Sequence, residues 1–314
     1  MTFWVVLLNI ALFVFAEKSF SGTTKAVSRA TLLNRYAVLP FLLLVMPLGY
    51  AAFVFLQQVP GDEEITILAV QPNISPFGDY SPKNLPNIFG KQIALTNLAL
   101  KEQSPDLILW NEVAVPYILS DDIAANEYLA KKIKKWNVPV LTGLIEVKDY
   151  TKDELLPPLL VAQDRSREYF NAAALLLPSA IVDQKFSVDP SNLYLKRRLM
   201  PFLESVPFAA AYPPLADLII PIGSRPRLRA GTAAKTFDFQ SRDGVTVRVG
   251  TMICYENLYP EMAADAVRDG AQVLTAITNE GFLRSLRVSI SLERFRVFAQ
   301  SKREERWSGQ PLPA

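Results

Sequence analysis

The stretch AVLPFLLLVMPLGYAAFVFL, Ala37 to Leu56, runs for 20 residues without a charged side chain. That is about the length a helix needs to cross roughly 30 Å of hydrocarbon. Pro40 and Pro47 would kink such a helix, which a bilayer tolerates better than water does. A second uncharged run, TFWVVLLNIALFVFA (Thr2 to Ala16), is shorter. No basic residue precedes it and no small-residue cleavage site follows it, so a spanning helix is expected there in preference to a signal peptide. The competing reading, two buried core helices, would call for an amphipathic pattern that neither run has. Between them lies Glu17 to Tyr36, with Lys18, Lys25, Arg29 and Arg35 against Glu17 alone. The excess of basic residues predicts a cytoplasmic loop, which puts everything after Gln57 outside the cytoplasm. Residues 1–57 are therefore expected to be a membrane region, with helices near 2–16 and 37–56.

From Glu64 onward the texture changes to short apolar runs alternating with amphipathic stretches. Strands are expected at Ile65 to Asn73, Asp106 to Val115, Val138 to Val147, Phe170 to Pro178, Val245 to Glu256 and Ala271 to Glu280. Helices are expected at Ile88 to Glu102, Ile123 to Trp136 and Pro260 to Asp269, the last with Pro in its first turn and Gly270 as its cap. Strands alternating with helices predict an α/β fold. Phe208 to Gly231 is apolar and broken by prolines. It reads either as a long packed loop or as a lid or membrane-facing arm.

The chain has no histidine and one cysteine. That excludes Ser-His-Asp and Cys-His machinery and argues against a zinc or thiolate metal centre, so neither metal nor cofactor is expected. With 33 Lys and Arg against 31 Asp and Glu, no global field favours nucleic acid as a partner. What remains for chemistry is carboxylates, lysines, tyrosines and Cys254, which lies in the stretch GTMICYENLYPE. On its own, a cysteine after an apolar strand reads as a buried apolar filler or as a nucleophile. A strand end also carries Glu112, after LILWN, and ligands in α/β folds bind at such ends.

Three stretches taken together resemble the carbon-nitrogen hydrolase (nitrilase) superfamily, whose Glu-Lys-Cys triad needs no histidine. They are LILWNE with Glu112, YLKRRLMPFLESVP with Lys196, and ICYE with Cys254. More narrowly they resemble its membrane-bound apolipoprotein N-acyltransferase branch, with motifs hhhWPE, YxKxxLVPFGExVP and ICYE. LAVQPNISPF, YFNAAALL and LTAITNEGF extend the likeness from about Ile65 to Phe282. The resemblance implies an α-β-β-α sandwich over 62–282 behind two membrane helices. It also implies a multi-pass location in a bacterial inner membrane, with the catalytic domain on the extracytoplasmic side.

For the chemistry, the resemblance implies Glu112 as general base, Cys254 as nucleophile, and Lys196 as stabiliser of the thiolate and the oxyanion. The Tyr255 backbone N–H would be the second oxyanion donor, and Glu204 and Glu256 would hold Lys196 or the amine. The implied reaction moves an acyl chain from a membrane phospholipid, through a Cys254 thioester, to the amine of a diacylglyceryl-cysteine lipoprotein. The lipid bilayer itself is then a partner. The alternatives are a membrane-anchored amidase and a catalytically dead binding module.

Asn111 replaces the family's proline before the acid, Leu203 its glycine in PFGE, and Arg198 a frequent histidine. After Phe282 the family's RLRAIETRR-like helix is missing. Arg294 to Arg303, back-translated and read two nucleotides later, permits Leu-Pro-Arg-Leu-Arg-Ala-Ile-Glu-Thr-Arg. Residues 283–314 therefore read either as a frame-shifted tail or as a divergent amphipathic C-terminal helix; with the shift, the product would lack the C-terminal part of its domain and the family's activity would belong to the intact gene. A coding sequence unable to yield that peptide would exclude the frameshift.

Overall fold

The computed structural model describes residues 2–20, 29–56, 63–75, 78–151, 166–186, 192–206, 208, 211, 212, 215, 228–279 and 289–297. These fall into two compact units, Met1–Pro60 and Gly61–Ala314. The first holds α1 (Thr2–Phe20) and α2 (Arg29–Leu56), and α2 stays helical through Pro40 and Pro47. Trp4 donates its indole N–H to the Leu43 carbonyl at 2.9 Å, which fastens the two helices together. Most of the large apolar side chains described on both are exposed, among them Phe3, Phe13, Phe41, Met46 and Phe53.

Two expectations change here. The basic segment is not one loop: Glu17 and Lys18 belong to the last turn of α1, and α2 already begins at Arg29. Among the described residues, only Tyr36–Phe53 is long and apolar enough to cross a membrane. The first run ends in the charged pair Glu17 and Lys18, which shortens its apolar length.

The second unit is built on strands in two sheets. The larger has the order β11-β1-β2-β3-β4-β7, from β1 (Glu63–Gln71), β2 (Leu107–Trp110), β3 (Val140–Asp149), β4 (Arg167–Leu176), β7 (Leu193–Leu195) and β11 (Ser289–Val297). The smaller is β10-β9-β8, from β8 (Thr236–Gln240), β9 (Thr246–Ile253) and β10 (Val273–Ile277). A two-residue pair, β5 (Ile181–Val182) and β6 (Lys185–Phe186), forms a separate hairpin. The helices are α3 (Leu85–Ala99), α4 (Ile123–Trp136) and α5 (Pro260–Arg268).

Alternation along each strand sorts the side chains into layers. Leu68, Val70, Ile108, Trp110, Val140, Ala172 and Ala174 pack with Phe89, Ile93, Leu129 and Ile133 of α3 and α4. Ile65, Ile67, Leu107, Leu141, Ala173, Leu175 and Tyr194 face the other way, onto Phe237, Phe239, Val247, Val249, Ile253 and Ile277 of the smaller sheet. Helix α5 covers that sheet's far side, where Ala266 lies close against Gly250. The layering is thus α-β-β-α. Each fully buried aliphatic side chain, such as Leu129 or Ile133, contributes about 1.5–3 kcal/mol by leaving water. Helix α4 starts where the Asp122 carboxylate accepts the Ala125 N–H at 2.9 Å, and it ends at Asn137 in the left-handed conformation.

The expected strand Asp106 to Val115 is cut to Leu107–Trp110, because Val113 takes a positive φ of 50° and turns the chain. Strand β8 was not expected. Its Phe237/Phe239 alternation is short and interrupted by Asp238. Of the tail, only Ser289–Val297 is described, and its backbone pairs antiparallel with β1. The remainder of 283–314, and with it the frameshift expectation, lies outside the described residues. So does most of the Phe208 to Gly231 arm, although Phe208 and Tyr212 themselves are exposed.

Candidate active site

Parallel strands β1 and β2 of the larger sheet and β9 and β10 of the smaller point the same ends at one edge of the sandwich. Gln71, the last residue of β1, donates to the Thr278 carbonyl just beyond β10 at 3.2 Å, linking the two sheets there. Glu112 follows β2 by two residues and Cys254 follows β9 by one. Lys196 follows β7, in the same alternation as Tyr194, which faces the smaller sheet. Lys196 keeps the inward alternation of Tyr194, whereas Glu112 has the parity of Trp110 and Cys254 that of Gly250, and both reach the same inter-sheet edge through the left-handed turns at Val113 and Cys254.

Glu112 is seated by two devices. Trp110, fully buried, donates to the Thr96 hydroxyl at 3.0 Å and meets Phe89 and Trp136 edge-on, pinning the end of β2 to the helices. Beyond it the chain folds onto β3: the Gly143 N–H donates to the Asn111 carbonyl and the Val115 N–H to the Gly143 carbonyl, both at 3.2 Å. A methyl group on Gly143 would lie 2.5 Å from the Val113 nitrogen and 2.7 Å from the Glu112 Cα. Only a glycine lets the turn lie this close, and the turn holds Val113 in a conformation that a β-branched residue rarely adopts. Gly143→Ala is therefore expected to displace Glu112 while the chain still folds. Thermal unfolding should show a loss of about 1–3 kcal/mol in stability, and wild-type stability would mean that the turn accommodates the added methyl group.

Lys196 is 1% exposed. Its ammonium donates to Glu112 Oε1 at 3.0 Å and to Glu204 Oε1 at 2.9 Å. Burial disfavours its charge, but Glu112, Glu204 and Cys254 outweigh this and hold its pKa above the ordinary lysine value. Glu204 reaches back through a tight turn in which Phe202 has a φ of 64°, and the Met200 N–H donates to its Oε2 at 2.7 Å. Asn171, on β4, donates from Nδ2 to Glu112 Oε1 at 2.7 Å and to Glu204 Oε1 at 2.9 Å. Its alternation with Ala173 and Leu175 marks it as inward-facing, a signal legible in YFNAAALL although its partners were not.

Cys254 stands at the start of a 3₁₀ turn, Cys254–Leu258, with a φ of 50°. This strand-to-turn corner projects the thiol from the sheet edge. Tyr255 is the next residue, in the first turn, where N–H groups have no partner within the helix. Its ring meets Tyr259 edge-on at 5.3 Å. Glu256 was expected to hold Lys196 or the amine, but its fully buried carboxylate instead takes neighbouring donors. Oε2 accepts the Ile253 N–H at 2.8 Å, and Oε1 accepts the Tyr194 hydroxyl at 2.8 Å and the Arg197 and Arg198 N–H groups at 2.7 and 3.2 Å. One carboxylate thus ties the cysteine corner to the segment that carries Lys196.

Burial, and then the Glu112 carboxylate, push the Cys254 thiol up to about 11, against the opposing pull of Lys196 and a hydrogen bond with Thr278. At neutral pH the thiol keeps its proton, so attack requires a base at the moment of reaction. Since Cys254 is the only cysteine, alkylation by iodoacetamide reads it alone. The rate should rise with a midpoint near pH 11, against about 8.5 for a free thiol. Glu112→Gln should move the midpoint down by removing the nearby negative charge. A wild-type midpoint at the free-thiol value would contradict the burial and charge assigned to this site. Among the described residues no group of carboxylates and the cysteine is arranged to hold a metal ion.

The carbon-nitrogen hydrolase family model matches residues 67–291. Curated relatives include the apolipoprotein N-acyltransferase of Chlorobaculum tepidum, 27% identical over 90% of this chain and 50% of its own length. That of Pseudomonas aeruginosa is 29% identical over 81% of this chain and 45% of its own. The chain spans about half the length of the curated relatives it matches. Among solved structures, a carbon-nitrogen hydrolase from Helicobacter pylori superposes with a TM-score of 0.42 at 16% identity, over 68% of this chain and 60% of its own.

Proposed function

Because the chain belongs to the carbon-nitrogen hydrolase family, on its apolipoprotein N-acyltransferase branch, we propose that it transfers a fatty acyl chain from a phospholipid to the N-terminal amine of a diacylglyceryl-cysteine lipoprotein. The observation that carries this reading is the buried ammonium of Lys196 held between Glu112 and Glu204, beside a thiol on a left-handed corner. Glu112 takes the Cys254 proton as sulfur attacks the donor ester. The carbonyl carbon gains a C–S bond and loses its C–O bond, and the lysophospholipid leaves with the proton from Glu112. The amine then attacks the thioester, gives its proton to Glu112, and Cys254 leaves and is reprotonated. Lys196 and the Tyr255 N–H stabilise the oxyanion of both tetrahedral intermediates; losing one such donor costs about 10²–10³ in rate.

Mixed-lipid vesicles carrying a labelled phospholipid, the full chain and a synthetic diacylated lipopeptide test this directly. Label should appear on the lipopeptide amine. Ammonia release from small amides without lipid transfer would instead support a membrane-anchored amidase, and neither activity would support a binding module. We also propose a bacterial inner-membrane location with the second unit extracytoplasmic; the apolar length of Tyr36–Phe53 and the basic residues Lys18, Lys25, Arg29 and Arg35 before it support this reading. A reporter enzyme active only outside the cytoplasm, fused after Leu56, is expected to be active; activity of a cytoplasm-only reporter at that point would reverse the topology.

A further inference from the structure

Two carboxylates share one cation in the candidate site. Glu112 Oε1 and Glu204 Oε1 each accept from Lys196 Nζ, at 3.0 and 2.9 Å, and the same two oxygens accept from Asn171 Nδ2, at 2.7 and 2.9 Å. The buried cluster thus sets two carboxyl groups against one ammonium, and Cys254 acts on that ammonium as well. A neutral donor is needed to hold the carboxylates together, and it must supply two hydrogens from one atom. A primary amide does this; a hydroxyl, with one hydrogen, does not.

Asn171 is also fixed to Lys196 through the main chain, since its carbonyl accepts the Lys196 N–H at 2.8 Å. One residue therefore holds the backbone of Lys196 at one end and its carboxylate partners at the other. With Glu112 Oε1 taken by two donors, Oε2 is the oxygen left with lone pairs for the thiol proton. We propose that Asn171 is a positioning residue for Glu112: its amide bridges the two glutamates and leaves Oε2 as the basic oxygen. This rests on the reading of Glu112 as the base for Cys254.

The test uses Asn171→Ser, which keeps a polar group but loses the bridge, in the full chain with and without Glu204→Gln. With Glu204 neutral, Lys196 alone satisfies Glu112 and the bridge has little left to do. Asn171→Ser is expected to lower the thermal midpoint at pH 7 by about 3–8 °C, and by much less in the Glu204→Gln background. Acyl loading of Cys254 should slow by about 10²-fold at unchanged half-saturating lipid. Equal thermal losses in both backgrounds, or slower loading that comes with a raised half-saturating lipid concentration, would overturn the proposal. If wild type loads no acyl chain, the catalytic reading fails, and the thermal cycle alone still decides whether Asn171 bridges the carboxylates.

Discussion

Lys196→Met is expected to abolish acyl loading of Cys254 and to destabilise the second unit by about 3–5 kcal/mol, the usual cost of removing one partner from a buried ion pair. The side chain is 1% exposed and lies against two carboxylates, so no water replaces the lost ammonium. Methionine fills a similar volume, and the loss is therefore electrostatic. The sign can be checked by removing one carboxylate: Glu204→Gln in the Lys196→Met background removes the repulsion and should recover part of the deficit. Urea unfolding of the single and double variants measures this. A deficit that is the same in both would mean that packing, not charge, holds Lys196 in place.

The second large effect is expected from Glu256→Gln. A glutamine oxygen can take the position of Oε1, with its donors from Tyr194, Arg197 and Arg198, but its NH₂ then faces the Ile253 N–H. A buried donor meeting a donor costs about 1–3 kcal/mol. The catalytic loss should be larger than that stability loss suggests, because Ile253 directly precedes the nucleophile and Arg197 directly follows the lysine. Acyl loading is expected to fall by 10²-fold or more, with the Cys254 alkylation midpoint less affected than in Glu112→Gln. Wild-type loading in Glu256→Gln would remove this carboxylate from the account.

Much of the second unit was legible in the sequence, because its strands are apolar runs and its helices have strong periodicity. Ile123–Trp136 was read to the residue, where a capping Asp122 and a terminal Asn137 mark both ends. The line of LILW into Glu112 and of VGTMI into Cys254 located both strand ends. What was not legible is how the chain leaves those strands. Val113 and Cys254 adopt left-handed conformations that no propensity favours, and they do so because of neighbours remote in sequence, Gly143 in one case and the donors around Glu256 in the other. Asn171 lies within the expected strand YFNAAALL, and only the approach of Glu112 and Glu204 from other elements gives its amide partners. Charge in the membrane region misled differently: Lys18 and Arg29 looked like loop residues but lie in helix ends.

The central claim is that Cys254 carries the acyl chain, and intact-protein mass spectrometry of the full chain after incubation with phospholipid vesicles tests it most directly. A mass increase of one acyl group is expected, removed by neutral hydroxylamine, mapped to Cys254 and absent in Cys254→Ser and Lys196→Met. An unmodified wild-type chain, or an acyl group that persists in Cys254→Ser, would contradict it.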